Sequence, residues 1–230
     1  MCIRDSFDTG ITWSNSLNVA QMLDKSSYSI SLGNTHQDGI ISSTGMDRYN
    51  VKVSADTKLN NNWSSGFTAN YITTSIDKAV TSGNGLLRTV YAAPPSYDLA
   101  GIPSHVDGNP YTQNSFRGSF DNAYWAMENN KFTEDTNRFF GNVYASYQTD
   151  FGTTNHKLNA KYMVGVDAYT THYVDSYGYG SNTGGGRGQI ENYGWTNATY
   201  NSLLTINYDW HINEDWGLNA VVGNEIIQSN

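Results

Sequence analysis

Hydrophobic and polar residues alternate along most of the chain with a period of two. Between residues 11 and 20, Ile11, Trp13, Leu17 and Val19 all occupy odd positions, and the even positions carry mainly Thr, Ser and Asn. Successive side chains of an extended strand point to opposite sides, so this spacing predicts a strand with one apolar face and one polar face.

The same alternation recurs in seven further segments. Their apolar positions are Tyr28, Ile30 and Leu32; Tyr49, Val51, Val53 and Ala55; Phe67, Ala69 and Tyr71; Phe139, Val143, Ala145 and Tyr147; Leu158, Ala160, Tyr162, Val164 and Val166; Tyr200, Leu204, Ile206 and Tyr208; and Leu218, Ala220 and Val222. The sequence therefore predicts eight strands and an all-β fold.

The predicted connections alternate in length. Short links at about 21–27, 57–62, 149–156 and 211–215 alternate with long ones at about 33–48, 73–137 and 170–194. This rhythm is typical of an antiparallel transmembrane barrel, which has tight turns at one end and long loops at the other. The prolines of the sequence are all in the longest predicted loop: Pro94, Pro95, Pro103 and Pro110.

Charged and aromatic residues favour lipid outside the sheet. The strand residues Lys52, Asp56, Lys161 and Asp167 fall on the polar side, and Lys or Arg facing the middle of a bilayer would cost about 2–4 kcal/mol. The apolar faces end in aromatic rings, as in the two interfacial girdles of a membrane barrel. These rings are Trp13, Tyr49, Tyr71 and Tyr169 at one end, and Trp63, Tyr147, Tyr208, Trp210 and Trp216 at the other.

Composition argues against several other classes of protein. The 230 residues include 13 Lys and Arg against 21 Asp and Glu, which gives a formal net charge of −8. The basic residues are scattered, so the electrostatic footprint of a nucleic-acid-binding surface is missing. No apolar run approaches the roughly 20 residues of a transmembrane helix. Cys2 has no second cysteine with which to form a disulfide.

Motifs for catalysis and metal binding are weak. The histidines His36, His105, His156, His172 and His211 lack the spacing of zinc ligands. The run Gly184–Gly188 lacks the Lys-Ser/Thr of a phosphate-binding loop. Calcium-loop spacing is also missing from a group of acidic residues in the longest predicted loop: Asp98, Asp107, Asp121, Glu128, Glu134 and Asp135. We therefore expect no enzymatic activity, no metal and no cofactor.

Aromatic residues of the longest predicted loop are the candidate ligand-binding residues. We single out Tyr111, Tyr124 and Trp125, with Tyr91 and Tyr97 nearby, because the apolar faces of sugar rings stack on exposed aromatic side chains. The alternative is that these rings pack the loop onto itself or against a lid, since so long a loop needs a core of its own. Asparagines give the polar faces of the strands a mostly uncharged character: Asn50, Asn70, Asn142, Asn159, Asn201 and Asn207.

Several short motifs occur in an order that resembles one family. In chain order they are Asn15–Val19, Tyr28–Leu32, Gln37–Ile40, Arg48, Leu59, Gly66, Asn109–Tyr111 and Arg138–Asn142. Each motif is short and made of common residues, so their order and spacing carry the resemblance. From residue 7 to the end, the chain resembles the barrel of the SusC/RagA-type TonB-dependent outer-membrane transporters of Bacteroidetes.

The resemblance implies a 22-stranded barrel closed by an N-terminal plug domain. It further implies a SusD-type lipoprotein lid, energy supplied through TonB, and oligosaccharides or peptides as substrates in the outer membrane. This sequence has no plug, no TonB-binding segment and no signal peptide, and it ends in Asn230. We therefore expect a barrel fragment that forms an open, curved sheet of about eight strands.

Two other interpretations fit the alternation. One is a complete eight-stranded outer-membrane barrel that serves as an adhesin or anchor, which would require bonding between the first and last strands. The other is a secreted, carbohydrate-binding β-sandwich, which would require the apolar faces to meet each other. Residues 1–6 do not join smoothly to the alternating pattern, and we predict that they are a non-native scar.

Overall fold

The chain forms one large antiparallel sheet and a small subdomain inserted into it. The computed structural model describes residues 7–80, 85–94, 96–115, 117–152 and 155–230. The elements are β1 Thr12–Met22, β2 Ser26–Asp38, β3 Gly45–Lys58, β4 Trp63–Lys78, α1 Leu86–Ala92, β5 His105–Val106, β6 Asn109–Gln113, α2 Ala123–Asn129, β7 Lys131–Thr149, β8 His156–Tyr177, β9 Gln189–His211 and β10 Gly217–Ser229. The predicted scar at 1–6 and Pro95 lie outside the described residues.

The large sheet contains eight strands in the order β1-β2-β3-β4-β7-β8-β9-β10, and β5 and β6 form a separate hairpin. The predicted all-β class and the eight strands are therefore confirmed. The order is linear, and within the described residues no pairing joins β1 to β10. The open sheet that we expected is observed, whereas the closed eight-stranded barrel is not.

Every strand pair in the large sheet keeps a constant register from end to end. Because directly paired residues point to the same side of a sheet, constant registers carry one face across all the strands. One row illustrates this continuity: Leu17 pairs with Leu32, then Val51, Tyr71 and Phe139 follow on successive strands. The apolar sides of the predicted strands merge in this way into a single face.

This apolar face is exposed. Ile30, Val143 and Val222 keep 47%, 54% and 68% of their surface accessible, although they lie in the middle of their strands. The buried hydrophobic residues belong instead to the inserted subdomain and its borders. The apolar face has no partner within the described chain, so the β-sandwich interpretation does not match this fold. No helix in the described part of the chain is long and apolar enough to cross a membrane.

Aromatic rings cluster at the ends of the apolar face where the short turns lie. The rings of Trp63 and Tyr147 contact each other with centroids 5.0 Å apart. The ring of His156 stacks on those of Tyr208 and Trp210, at 6.0 and 5.5 Å. These pairs form part of the girdle predicted for that end of the strands.

Tyr169 is an exception to the predicted girdle. It pairs with Arg138 and Asn197 and has the same odd numbering on β8 as the polar-face residues Lys161 and Asp167. The prediction that Tyr169 ends an apolar face is therefore wrong. The reason is parity, because the apolar positions of β8 are the even ones from Leu158 to Ala168.

The strands extend further into the long connections than the sequence pattern indicates. The predicted loops 33–48, 73–137 and 170–194 contain strand ends, and the segments between strands of the large sheet are 39–44, 79–130 and 178–188. With 22 and 23 residues, β8 and β9 far exceed the 9–11 residues that cross a bilayer. Their upper parts therefore project well beyond the apolar band.

Placing a charge on the apolar face tests the assignment of this face to lipid. We expect Val143→Arg to weaken association of the chain with phospholipid vesicles, because Arg at mid-bilayer costs about 2–4 kcal/mol. Asn142→Arg places the same side chain on the polar face of the same strand and serves as the control. Vesicle flotation measures the bound fraction. Equal binding of the two variants would contradict the assignment.

Candidate functional site

Several charged side chains of the polar face contact neighbouring strands. Arg138 donates from Nε to Oδ1 of Asp167 at 2.8 Å, and a second contact joins its Nη2 to Oδ2. The hydroxyl of Tyr144 donates to Oδ1 of Asp56 at 2.6 Å, and the ammonium group of Lys161 lies 4.1 Å from the centroid of the Tyr144 ring. With these charges satisfied, the rest of the wall offers mainly amide and hydroxyl groups to a ligand.

The connection between β4 and β7 folds into a subdomain with its own small core. Leu86 and Val90 of α1, Leu99, and Ala123 of α2 are buried against each other. Tyr97, Tyr124 and Met127, which are partly buried, pack against this cluster. Phe7 and Ile41 also pack against it, so the core extends to the tip of the β2–β3 hairpin.

The three predicted ligand-binding rings occupy different environments. Trp125 has no exposed surface and donates from Nε1 to the carbonyl oxygen of Pro110 at 2.8 Å. Tyr124 is partly buried against the core cluster. Tyr111 is 60% exposed, and its ring contacts that of Tyr179 edge-on at 5.5 Å. Trp125 therefore packs the subdomain, as in the alternative interpretation, and ligand binding by these rings stays a prediction.

The buried carboxylate of Asp121 joins the subdomain to the β8–β9 loop. Its Oδ1 accepts hydrogen bonds from Gln113 Nε2 at 2.8 Å and from the backbone and side-chain nitrogens of Asn182, both at 2.7 Å. Its Oδ2 accepts one from Ser181 Oγ at 2.6 Å. The neighbouring Asn122 caps α2 by accepting from the backbone nitrogens of residues 124 and 125. Four donors from two segments, Gln113 of β6 and Ser181 and Asn182 of the β8–β9 loop, thus converge on one side chain.

Gly180 allows the two loops to approach closely. Its φ is +101°, and a Cβ atom at this position would lie 2.4 Å from the carbonyl oxygen of Tyr111. Its own carbonyl oxygen accepts a hydrogen bond from Gln113 Nε2 at 2.9 Å. A side chain at this position would therefore push the loops apart.

A cavity of about 550 Å³ lies between the β2–β3 hairpin tip and α2. Its strand residues include His36, which lies 2.7 Å from Asp47 and 3.3 Å from Asp38. His36 on β2 and Asp47 on β3 lie at positions whose even or odd numbering matches the apolar side of their strands. Among the described residues, no group of three or more His, Cys, Asp or Glu could hold a metal ion.

A second group of aromatic residues lies on the upper extension of the polar face. We call Tyr173, Tyr193 and Trp195 the aromatic patch. The Tyr173 ring stacks on that of Tyr193 with centroids 5.0 Å apart and an angle of 8°, and it lies 5.2 Å from the Trp195 ring. The ammonium group of Lys78 lies 4.3 Å from the Tyr173 ring and 3.6 Å from the carboxylate of Glu134.

Burial, and then the negative charge and hydrogen bonding of Glu134, raise the pKa of Tyr173 above its usual value of 10. Tyr173 therefore stays neutral under physiological conditions. Because Tyr173 lies far above the apolar band of β8, its hydroxyl is part of the loop region and not of the band.

Sequence reasoning did not identify the aromatic patch, because it assigned 170–194 to a loop. A usable signal was present, however. Tyr173, Tyr193 and Trp195 are all at odd positions, which continue the parity of Asp167 on β8 and Asn201 on β9.

Comparisons with known proteins agree with the fold. No family model matches the chain, and no curated protein matches it. A solved structure of the RagAB peptide importer in the closed-closed state is similar, with a TM-score of 0.73 and 17% identity over 97% of this chain and 25% of that chain. A second solved structure, of the RagAB peptide transporter, has a TM-score of 0.71 and 16% sequence identity, with the same coverage of the two chains. The chain thus spans about a quarter of their length, and the likeness concerns the fold.

Removing the Asp121 carboxylate tests its role in joining the two loops. We expect Asp121→Ala to speed amide hydrogen exchange in segments 96–130 and 178–188 by roughly 10- to 150-fold, because hydrogen bonds to a charged group stabilise by about 1.5–3 kcal/mol. Glu128→Ala is the control, since its exposed pairing with His105 is worth about 1 kcal/mol at most. Similar exchange in the two variants would contradict the assignment.

Gly180 and Gly185 form a matched pair for testing the close approach of the loops. Both have positive φ, but a Cβ atom at Gly185 would have nothing within 4 Å. We expect Gly180→Ala to lower the melting temperature of the subdomain more than Gly185→Ala. Both substitutions place a side chain on a backbone with positive φ, but only Gly180→Ala also creates a steric clash. Circular dichroism in the near ultraviolet measures the transition, and equal shifts would exclude the clash.

Proposed function

We propose that this chain is part of the barrel wall of a TonB-dependent outer-membrane importer whose plug domain is supplied by another part of the protein. The observation that carries this proposal is the single open sheet with one exposed apolar face and one polar face. Such a sheet needs further strands at both edges, since unpaired edges in lipid leave backbone groups without partners. The likeness to RagAB chains at the level of the fold supports it.

The proposed orientation places the apolar face in outer-membrane lipid. Segments 23–25, 59–62, 150–155 and 212–216 then form the periplasmic turns. The segments 39–44, 79–130 and 178–188 lie on the extracellular side, as in other outer-membrane barrels. The polar face lines the lumen, where its amides and hydroxyls meet the substrate.

The proposed substrates are oligosaccharides or peptides. The loops and a SusD-like lipoprotein lid would capture the substrate, and TonB would then drive the displacement of the plug. The inserted subdomain is the part of this chain best placed to meet both lid and substrate, because Asp121 holds its loops in a fixed arrangement. Tyr111 offers the most exposed of the three predicted rings. We propose no enzymatic step, and both solved neighbours are transporters.

Nutrient uptake tests this proposal. Deletion of the gene that contains this segment is expected to abolish growth on oligosaccharides or on peptides as the sole nutrient. Growth on monosaccharides and free amino acids should stay normal, because these pass through porins. The complete gene restores growth, and a copy that lacks the eight strands does not. Normal growth of the deletion strain on both polymer classes would contradict the proposal.

A further inference from the structure

The aromatic patch combines exposed rings with an unbalanced negative charge. Tyr193 and Trp195 keep 44% and 52% of their surface accessible. They follow each other along β9 on the polar face, opposite Tyr173 and Thr171 of β8. Two neighbouring rings on rigid strands, not on a mobile loop, form a preorganised surface for a ligand.

The patch already holds one cation from the chain itself. The ammonium group of Lys78 lies against the ring of Tyr173 and is paired with Glu134. This contact shows that the rings, together with the charges around them, can hold a cation. The Tyr173 ring is half-buried between Lys78 and its neighbours, whereas Tyr193 and Trp195 present ring surface to solvent.

Carboxylates lie directly beyond the rings. Asp175 pairs with Glu191 in the next row of the polar face, one step along from the pair Tyr173 and Tyr193. The hydroxyl of Tyr193 donates to Oδ2 of Asp175 at 3.2 Å, while Oδ1 of Asp175 is buried and has no hydrogen-bond partner in the described part of the chain. Glu134, Asp175 and Glu191 thus lie on the polar face around the rings, and Lys78 pairs with Glu134.

We propose that the aromatic patch binds an organic cation, an ammonium or guanidinium group carried by the imported molecule. The inference rests on the proposed function, because it takes the polar face to be the side that meets the substrate. Ring faces attract cations through their quadrupole, and the excess of carboxylates adds an attraction that a neutral ligand does not feel.

Basic peptides and amino sugars both carry such a cation. We therefore test one cationic probe and one neutral probe of similar size from each class. The peptide pair is N-acetyl-trilysine amide and N-acetyl-trialanine amide. The sugar pair is the glucosamine trimer and the N-acetylglucosamine trimer. Calorimetric titration of the full chain in detergent micelles is expected to show at least tenfold tighter binding of each cationic probe than of its neutral partner, and weaker binding in high salt.

Variants locate the binding to the patch. Trp195→Ala and Asp175→Asn are each expected to weaken binding of the cationic probes by about fivefold or more. Tyr200→Ala is the control, since Tyr200 lies on β9 with 50% exposure but on the apolar face. Tyr193→Phe keeps the ring and is expected to retain most of the binding. Far-ultraviolet circular dichroism confirms that each variant keeps the sheet.

Each outcome has a defined meaning. Tight binding of trilysine alone supports the site and identifies peptides as the source of the cation, whereas tight binding of both cationic probes supports the site for both sources. Equal binding of cationic and neutral probes, no binding of any probe, or equal effects of Trp195→Ala and Tyr200→Ala would overturn the proposal. Because titration does not involve transport, normal cation binding in a chain whose gene is dispensable for uptake would count against the proposed function alone.

Discussion

The constant register of seven strand pairs is the constraint on which the rest of this structure depends. A shift of one residue in any pair would move every following apolar side chain to the other face. Because no shift occurs, one face stays apolar and the other polar across eight strands. An apolar face of this size has no partner among the described residues, and the proposed lipid environment would satisfy it without a second layer.

The same registers explain where the chain places its polar chemistry. Within the band, Arg138 and Asp167 meet across neighbouring strands and form an ion pair. Above the band the strands continue, and the polar face there carries the aromatic patch, several carboxylates and the pair of Lys78 with Glu134. In the proposed function, discrimination between ligands would fall to the upper part of the strands and to the loops that they support.

The inserted subdomain is stabilised in a different way from the sheet. A connection of about fifty residues cannot rest on the sheet alone, and it is stabilised by a small core together with a buried carboxylate that accepts four hydrogen bonds. The cost of burying the Asp121 carboxylate is offset because donors from separate segments converge on it. Trp125, which we singled out as a candidate ligand-binding residue, is buried within this subdomain.

The sequence by itself determined the strands and their apolar sides, because alternation is a local property and the period of two assigns each residue to a face. It also indicated which connections are long. The openness of the sheet was implied only by the resemblance to a wider barrel. Only the tertiary structure decided that Trp125 is buried, that Asp121 joins two loops, and that Tyr173, Tyr193 and Trp195 lie together. These arrangements depend on contacts between residues far apart in the chain, which local periodicity does not encode.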